Sequence, residues 1–293
     1  MQVYQSPEEL WEAVAKRRKD AMSKNSHSGT TATTTTTTKN SSTKSKKQKS
    51  EDDVVWYDSA VKYWDNQAAT DDGVLGGYGF VSDVDIRDSK KFLLKAMGPY
   101  IERCKDQGRK LVAVDCGAGV GRISYCLLLH IFDEVDLLEP SKHLLEAARH
   151  RLCSQTVPKS LPFPATHRAV NFFLQGLESF HPEPGRYDCI WIQWAMLYLT
   201  DDDAVALLHR CVKSLEDPDH GTIFIKENVC AEGFIMDSED ASVTRSHAYY
   251  VELFTKRAGL RLVHTALQKD FPRQLFKVRH YALRASSSTT TSM

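Results

Sequence analysis

One corner of the sequence limits the fold more than any other. LVAVDC at 111–116 runs straight into GAGVGR at 117–122, and RISYCLLLHIF opens a helical pattern there. Apolar strand, glycine turn and helix start, in that order, make the ligand-gripping corner of an open α/β sheet. Glycines let a ligand approach the backbone, and unpaired N–H groups at the helix start meet its polar atoms. Taken alone, the three glycines also fit a tight turn with no ligand. The surrounding pattern bears on the choice. EVDLLE (134–139), AVNFFLQ (169–175), YDCIWIQW (187–194) and GTIFIKEN (221–228) follow, interleaved with the helix-like SKHLLEAARHRL and DDDAVALLHRCVKSL. Such alternation argues for a parallel sheet covered on both faces. The end departs from it. After a helix expected over 242–258, RLVHTALQ and FKVRHYALR come in quick succession, so they should pair antiparallel.

Ahead of the sheet, Ser6 can cap a helix, Pro7 suits its first position and Glu9 completes an S-x-x-E box. The composition then collapses to Thr, Ser, Lys and Asn, too polar to offset the entropy of ordering. The expected division is an N-terminal helix at 1–22, a disordered linker at 23–52, one working domain at 53–284 and a disordered tail at 285–293. The Lys run of the linker also fits a weak nuclear-import or phosphate-contacting patch. Within the domain, Trp56, Tyr57, Tyr63 and Trp64 have helical spacing, and a helix is expected near 89–104.

Lys plus Arg and Asp plus Glu each number 38, so no net field draws the chain toward nucleic acid or an anionic membrane. No apolar run approaches the roughly 18 residues of a membrane span, and the N-terminus lacks an apolar signal core. The expectation is a soluble, non-secreted monomer of the cytoplasm, the nucleus or both. Seven cysteines with no C-x-x-C pair read as small core hydrophobes in a reducing compartment, with no metal site.

Glycine spacing selects the ligand. A dinucleotide fingerprint, G-x-G-x-x-G/A, needs a small residue where this chain has Arg122. The run D-x-G-x-G-x-G from Asp115 to Gly121, with Glu139 24 residues after Asp115, instead resembles motif I of the class I S-adenosylmethionine-dependent methyltransferases. DGVLGGYG (72–79), DCGAGVGRI, WIQW and IKEN…EG…D together are similar to the protein N-terminal (alpha-N-terminal) methyltransferase family, from about Val55 to Arg284. The resemblance implies an α/β, Rossmann-like seven-stranded class I methyltransferase fold with an antiparallel last strand, here with an N-terminal helical extension. It implies S-adenosyl-L-methionine as cofactor. It also implies methylation of the α-amine of proteins exposing X-Pro-Lys or X-Pro-Arg, whose N-terminal segments would be the partners.

The same resemblance implies a set of site residues. Gly117, Gly119 and Arg122 would contact the cofactor, Arg122 through the methionine carboxylate. Glu139, standing where the family has aspartate, would grip the ribose, followed by Pro140 and Ser141. Gly176 and Leu177 would meet the adenine, and Gln193 the methionine end. DGVLGGYG lacks a strand feeding it, and the family reading makes it a lid; a turn between two helices is the alternative. Trp64, Leu75, Val81 and Trp194 would line a peptide channel, although composition alone puts both tryptophans in the core. Asn228 would hold the substrate's N-terminal region, Asp237 its third-position basic side chain and Asp240 the reacting amine. Without the family, ENVCAEGFIMDSEDAS reads as a solvated acidic loop. Tyr198 stands where the family commonly has histidine, and Phe276 replaces a tyrosine, so slower or less complete methylation is expected. Two other functions remain open: methylation of a small-molecule amine or carboxylate, and non-catalytic reading of X-Pro-Lys ends.

Overall fold

The apolar segments form strands because β-branched residues pack well on a pleated surface buried from both sides. The computed structural model describes residues 1–25, 51–153 and 162–286. In chain order the strands are β1 (Gln2–Tyr4), β2 (Val112–Cys116), β3 (Glu134–Leu138), β4 (Arg168–Phe173), β5 (Cys189–Gln193), β6 (Thr222–Cys230), β7 (Phe234–Asp237), β8 (Ser242–Ser246), β9 (Arg261–Leu267) and β10 (Lys277–Arg284). The helices are α1 (Pro7–Asn25), α2 (Glu51–Asp65), α3 (Asp71–Val74), α4 (Ser82–Asp106), α5 (Arg122–Cys126), α6 (Lys142–Cys153), α7 (Asp201–Ser214) and α8 (His247–Glu252).

A seven-stranded body runs in the order β4-β3-β2-β5-β6-β10-β9. Its first five strands are mutually parallel. β10 lies antiparallel to both β6 and β9, to β9 because the short segment 268–276 cannot make the long crossover a parallel pair requires. This is the Rossmann-like class I arrangement. Along each central strand, successive side chains enter opposite cores: Val114, Ile190, Ile192 and Ile225 on one face, Ala113, Cys189, Trp191 and Phe224 on the other.

A smaller unit extends the sheet beyond the far end of β6. β8 pairs parallel with β6 through Val229 and Cys230, β7 pairs antiparallel with β8, and β1 pairs antiparallel with β7. Leu10 and Val14 of α1 and Trp56 and Ala60 of α2 bury a third core against Phe234, Met236 and Val243. Burial of each such aliphatic side chain is worth roughly 1.5–3 kcal/mol.

Several expectations are corrected here. The helix expected over 242–258 begins only at His247, because Val243 and Thr244 sit in β8 and Ser246 caps the helix by accepting from the Tyr249 N–H at 3.3 Å. The helix expected after Arg122 stops at Cys126, since Leu127, Leu128, Leu129 and Phe132 are all buried in one core and no single stripe can serve them. The acidic loop is a hairpin. The N-terminal helix runs on to Asn25, past the boundary set at 22, and α2 already begins at Glu51. Residues 26–50 of the expected linker and 287–293 of the expected tail lie outside the described residues. At the helix start, Ser6 caps the Glu9 N–H as the box requires, but the Glu9 carboxylate reaches back to the Gln5 N–H.

Candidate active site

The C-terminal ends of β2, β3, β5 and β6 open into a cavity of about 620 Å³, within the range of small-molecule sites. Gly117, Gly119, Arg122, Glu139, Pro140, Gly176, Leu177 and Gln193 line one end of it. Gly117 has φ +79°, and a Cβ there would stand 2.5 Å from the Ala195 Cβ, so only glycine fits. The Gly119 and Ser141 N–H groups donate to the two oxygens of Glu139, each at 2.9 Å. Burial pushes the Glu139 carboxyl up to about 7, against those two hydrogen bonds. Ser141 itself does not line the cavity. Its hydroxyl is turned to Asp65 at 2.8 Å, so it acts by holding Glu139.

Arg122 is almost fully buried and engages Asp85 at 2.8 Å and the Ser82 hydroxyl at 3.2 Å. Gln193 also turns to Asp85, donating its amide to both carboxylate oxygens at 2.9 and 3.0 Å. Asp85, on the first turns of α4, was not singled out in the sequence. Burial opposes its ionisation, but Lys226 and Arg122 outweigh that and hold its carboxyl below the ordinary value.

At the other end stand Trp64, Leu75, Val81, Trp194, Tyr198, Asn228, Asp237, Asp240 and Phe276. The hairpin β7–β8 carries both acids at its turn, where Asp237 accepts from the Glu239 N–H at 2.9 Å and Asp240 from the Ser242 N–H at 3.1 Å. Burial, reinforced by the Asp237 charge, raises the Asp240 pKa. The Tyr198 hydroxyl donates to Asp240 at 3.3 Å, and burial followed by the Asp240 charge moves it well above the usual phenol value. Tyr198 therefore stays protonated near neutrality. Its ring meets Trp64 edge-on at 6.3 Å. Trp194 adopts φ +51°, and its Nε1 is buried with no hydrogen-bond partner among the described residues. DGVLGGYG folds over this end as α3 and a following turn, with Val74, Leu75, Gly76 and Tyr78 on the cavity wall. This turn needs the positive φ of Gly76 (+61°) and Gly77 (+82°).

Residues 52–284 match a family described as AdoMet dependent proline di-methyltransferase. The chain belongs to this family. An alpha N-terminal protein methyltransferase 1 of rice is 44% identical over 78% of this chain and 71% of its own length. A zebrafish N-terminal Xaa-Pro-Lys N-methyltransferase 1 is 40% identical, over 80% and 97%. A solved Leishmania major S-adenosylmethionine-dependent methyltransferase superposes with a TM-score of 0.67 at 38% identity, covering 78% of this chain and 83% of that one.

The residues of the Gly117–Leu177 end fit the family's cofactor. A cation at Arg122 suits a carboxylate, the acid at Glu139 suits vicinal hydroxyls, and Leu177 offers an apolar floor. Every residue singled out for the site other than Ser141 lines the one cavity. Sequence reasoning missed Asp85, Lys226 and Tyr63. Tyr63 lies beside the hairpin, its pKa raised by burial and then by Asp240, Glu239 and Asp237. Tyr63 also lines the cavity, but consecutive helix residues do not share a face, so its place beside Trp64 gave no signal. Asp85 carried none, since an acid in a helix start reads as solvated.

Proposed function

We propose that this enzyme transfers methyl groups from S-adenosylmethionine to the α-amine of proteins whose exposed N-terminus reads X-Pro-Lys or X-Pro-Arg. One observation carries the reading: a single cavity joins the Arg122–Glu139 end to two acids on a hairpin, with aromatic walls between them. The names borne by the rice and zebrafish relatives support it.

When bound, the cofactor presents a sulfonium methyl for in-line displacement. The chain's own residues bind, orient and manage the proton. Arg122 takes the methionine carboxylate, Glu139 the ribose hydroxyls, and Gly176 and Leu177 the adenine. Trp64 and Trp194 wall the proline ring, Asp237 pairs with the third-position cation and Asn228 holds the first residue. The nucleophile must be a neutral amine. An α-amine titrates near 7.7–8.0, so losing its proton at pH 7 costs only about 1.4 kcal/mol, against over about 4 for a lysine side chain. Positioning can contribute roughly 7–11 kcal/mol, so orientation outweighs base strength. Asp240 orients the ammonium and accepts its proton, directly or through water. Tyr198 steadies that carboxylate as a hydrogen-bond donor and is no base itself. Leu75 and Tyr78 keep water out.

Mass spectrometry of a Ser-Pro-Lys-Arg peptide incubated with enzyme and S-adenosylmethionine, beside an N-acetylated copy, tests the reading. Whole-methyl mass gains on the free peptide alone are expected. Gains on both peptides, or on neither, overturn it.

A further inference from the structure

Behind the methionine end, two buried cations share one carboxylate. Asp85 is fully buried and accepts from Arg122, Gln193 and the ammonium of Lys226. Lys226, 1% exposed on β6, also donates to the Ser89 hydroxyl at 2.9 Å. Arg122 and Lys226 each lie 5.9 Å from the centroid of the Trp194 ring. Arg122 and Gln193 face the cavity, whereas Asp85 and Lys226 stand one layer behind it. The other charged or titratable groups around Lys226 are Asp88 and His280, and burial keeps His280 neutral. Asp115, which the Arg122 charge also reaches, is taken up by Ser124 through both its N–H and its hydroxyl.

One carboxylate in direct contact with two buried cations leaves a net positive charge at the methionine end. We propose that Asp85 and Lys226 are positioning residues for the cofactor's carboxylate. Asp85 fixes one edge of the Arg122 guanidinium so that its remaining donors point into the cavity. Lys226 anchors Asp85 and supplies a second positive charge that the incoming carboxylate neutralises. The inference rests on the cofactor and not on the peptide reading, so it stands or falls independently of which amine is methylated.

A consequence is proton linkage. Burial, only partly offset by Asp85, lowers the Lys226 ammonium to about 8. A carboxylate arriving at Arg122 favours the charged lysine, so binding in mildly alkaline solution takes up a proton. Titration calorimetry with S-adenosylhomocysteine at about pH 8.5, in two buffers of different ionisation enthalpy, reads that uptake. Methylthioadenosine, which lacks both the carboxylate and the α-amine, is the control ligand, and the Lys226→Arg comparison separates the lysine's proton from any taken up by the ligand's amine. Uptake is expected with the first ligand and not the second. Lys226→Arg keeps the charge without the titration, so it should bind S-adenosylhomocysteine within about threefold of wild type while the lysine's share of the uptake disappears. Lys226→Met should weaken S-adenosylhomocysteine by about tenfold and leave methylthioadenosine unchanged. Uptake undiminished in Lys226→Arg overturns the proposal, as does equal weakening of both ligands by Lys226→Met. Thermal unfolding of each variant confirms that it is folded; if Lys226→Met is not, the uptake by Lys226→Arg decides.

Discussion

The two ends of the cavity are built by different means. At the cofactor end, adjacent parallel strands deliver Gly117, Glu139 and Gln193 from neighbouring tips, so sheet register places them. Their side chains are then tied down: Glu139 by two backbone N–H groups, Arg122 and Gln193 by Asp85. At the peptide end Asn228 comes from β6 and the hairpin β7–β8 is paired to it, but the remaining parts come from α2, the 72–79 segment and the turn after β5, and packing between elements brings them together. β1 and the whole of α1, which brace that hairpin, precede the residues matched by the family. A register-built site is rigid and hard to vary without breaking the sheet. A packed site can be adjusted from outside. Substitutions at the peptide end should therefore change peptide kinetics while leaving cofactor affinity alone.

The largest expected effect is at Asp240. Asp240→Asn keeps the shape but removes the charge, and kcat should fall by about a hundredfold or more. Affinity for S-adenosylhomocysteine, by calorimetry, should not move. A parallel loss of cofactor affinity would break the comparison. The wild-type pH profile carries the same information. In the proposed role Asp240 acts as the anion, and its pKa is raised, so activity should be present above that pKa and lost as pH falls through it. The acid limb of kcat should then lie above the ordinary carboxylate value of about 3.9.

Asp237 should matter less, and differently. Asp237→Ala removes the proposed partner of the third-position cation and should raise KM for Ser-Pro-Lys peptides by about tenfold with kcat nearly unchanged. Against a Ser-Pro-Gln peptide the variant and wild type should differ little. Equal losses on both peptides would take the basic side chain away from Asp237.

How much of this was legible beforehand follows the same division. Strand, glycine turn and acid at Glu139 are local signals, and the residues carrying them fell where the pattern put them. The peptide end was legible only through family motifs, since nothing in a sequence says that Trp64 and Trp194 share a cavity. β8 was hidden because SVTRS runs on into the helix-forming HAYYVE, and the longer period dominated. β1 was hidden by brevity: three residues have no period until Phe234, Ile235 and Met236 pair with them. The Asp85–Lys226 pair was unreadable, because an apolar strand with one lysine and a helix start with one acid each look ordinary alone.

Tyr198→His sharpens the contrast within the peptide end. Imidazole titrates near 6.5 and can take a proton near neutrality, where the phenol cannot. Since positioning dominates, the gain should be modest, about threefold in kcat, with a higher share of fully methylated product by mass spectrometry. No change in rate or product state would mean that Asp240 alone handles the proton.

The smallest effect tests the brace itself. The Trp11 indole donates to Asp201 at 2.9 Å, and Asp201 also holds Arg245 of β8 at 2.8 Å and the Tyr249 hydroxyl at 2.6 Å. Arg245 in turn donates to the Leu199 carbonyl at 2.7 Å, next to Tyr198. α1 is thus tied to the strand and the turn that frame the two acids. Trp11→Phe removes one donor and keeps most of the ring, and Asp201 retains its other partners, so stability should fall by only about 1 kcal/mol. Because the loosened link leads to β8 and not to β2 or β3, peptide KM should rise by less than about threefold while cofactor affinity stays put. If calorimetry instead showed weaker cofactor binding with peptide KM unmoved, the two ends would be coupled through the sheet, and the separation argued from their construction would fail.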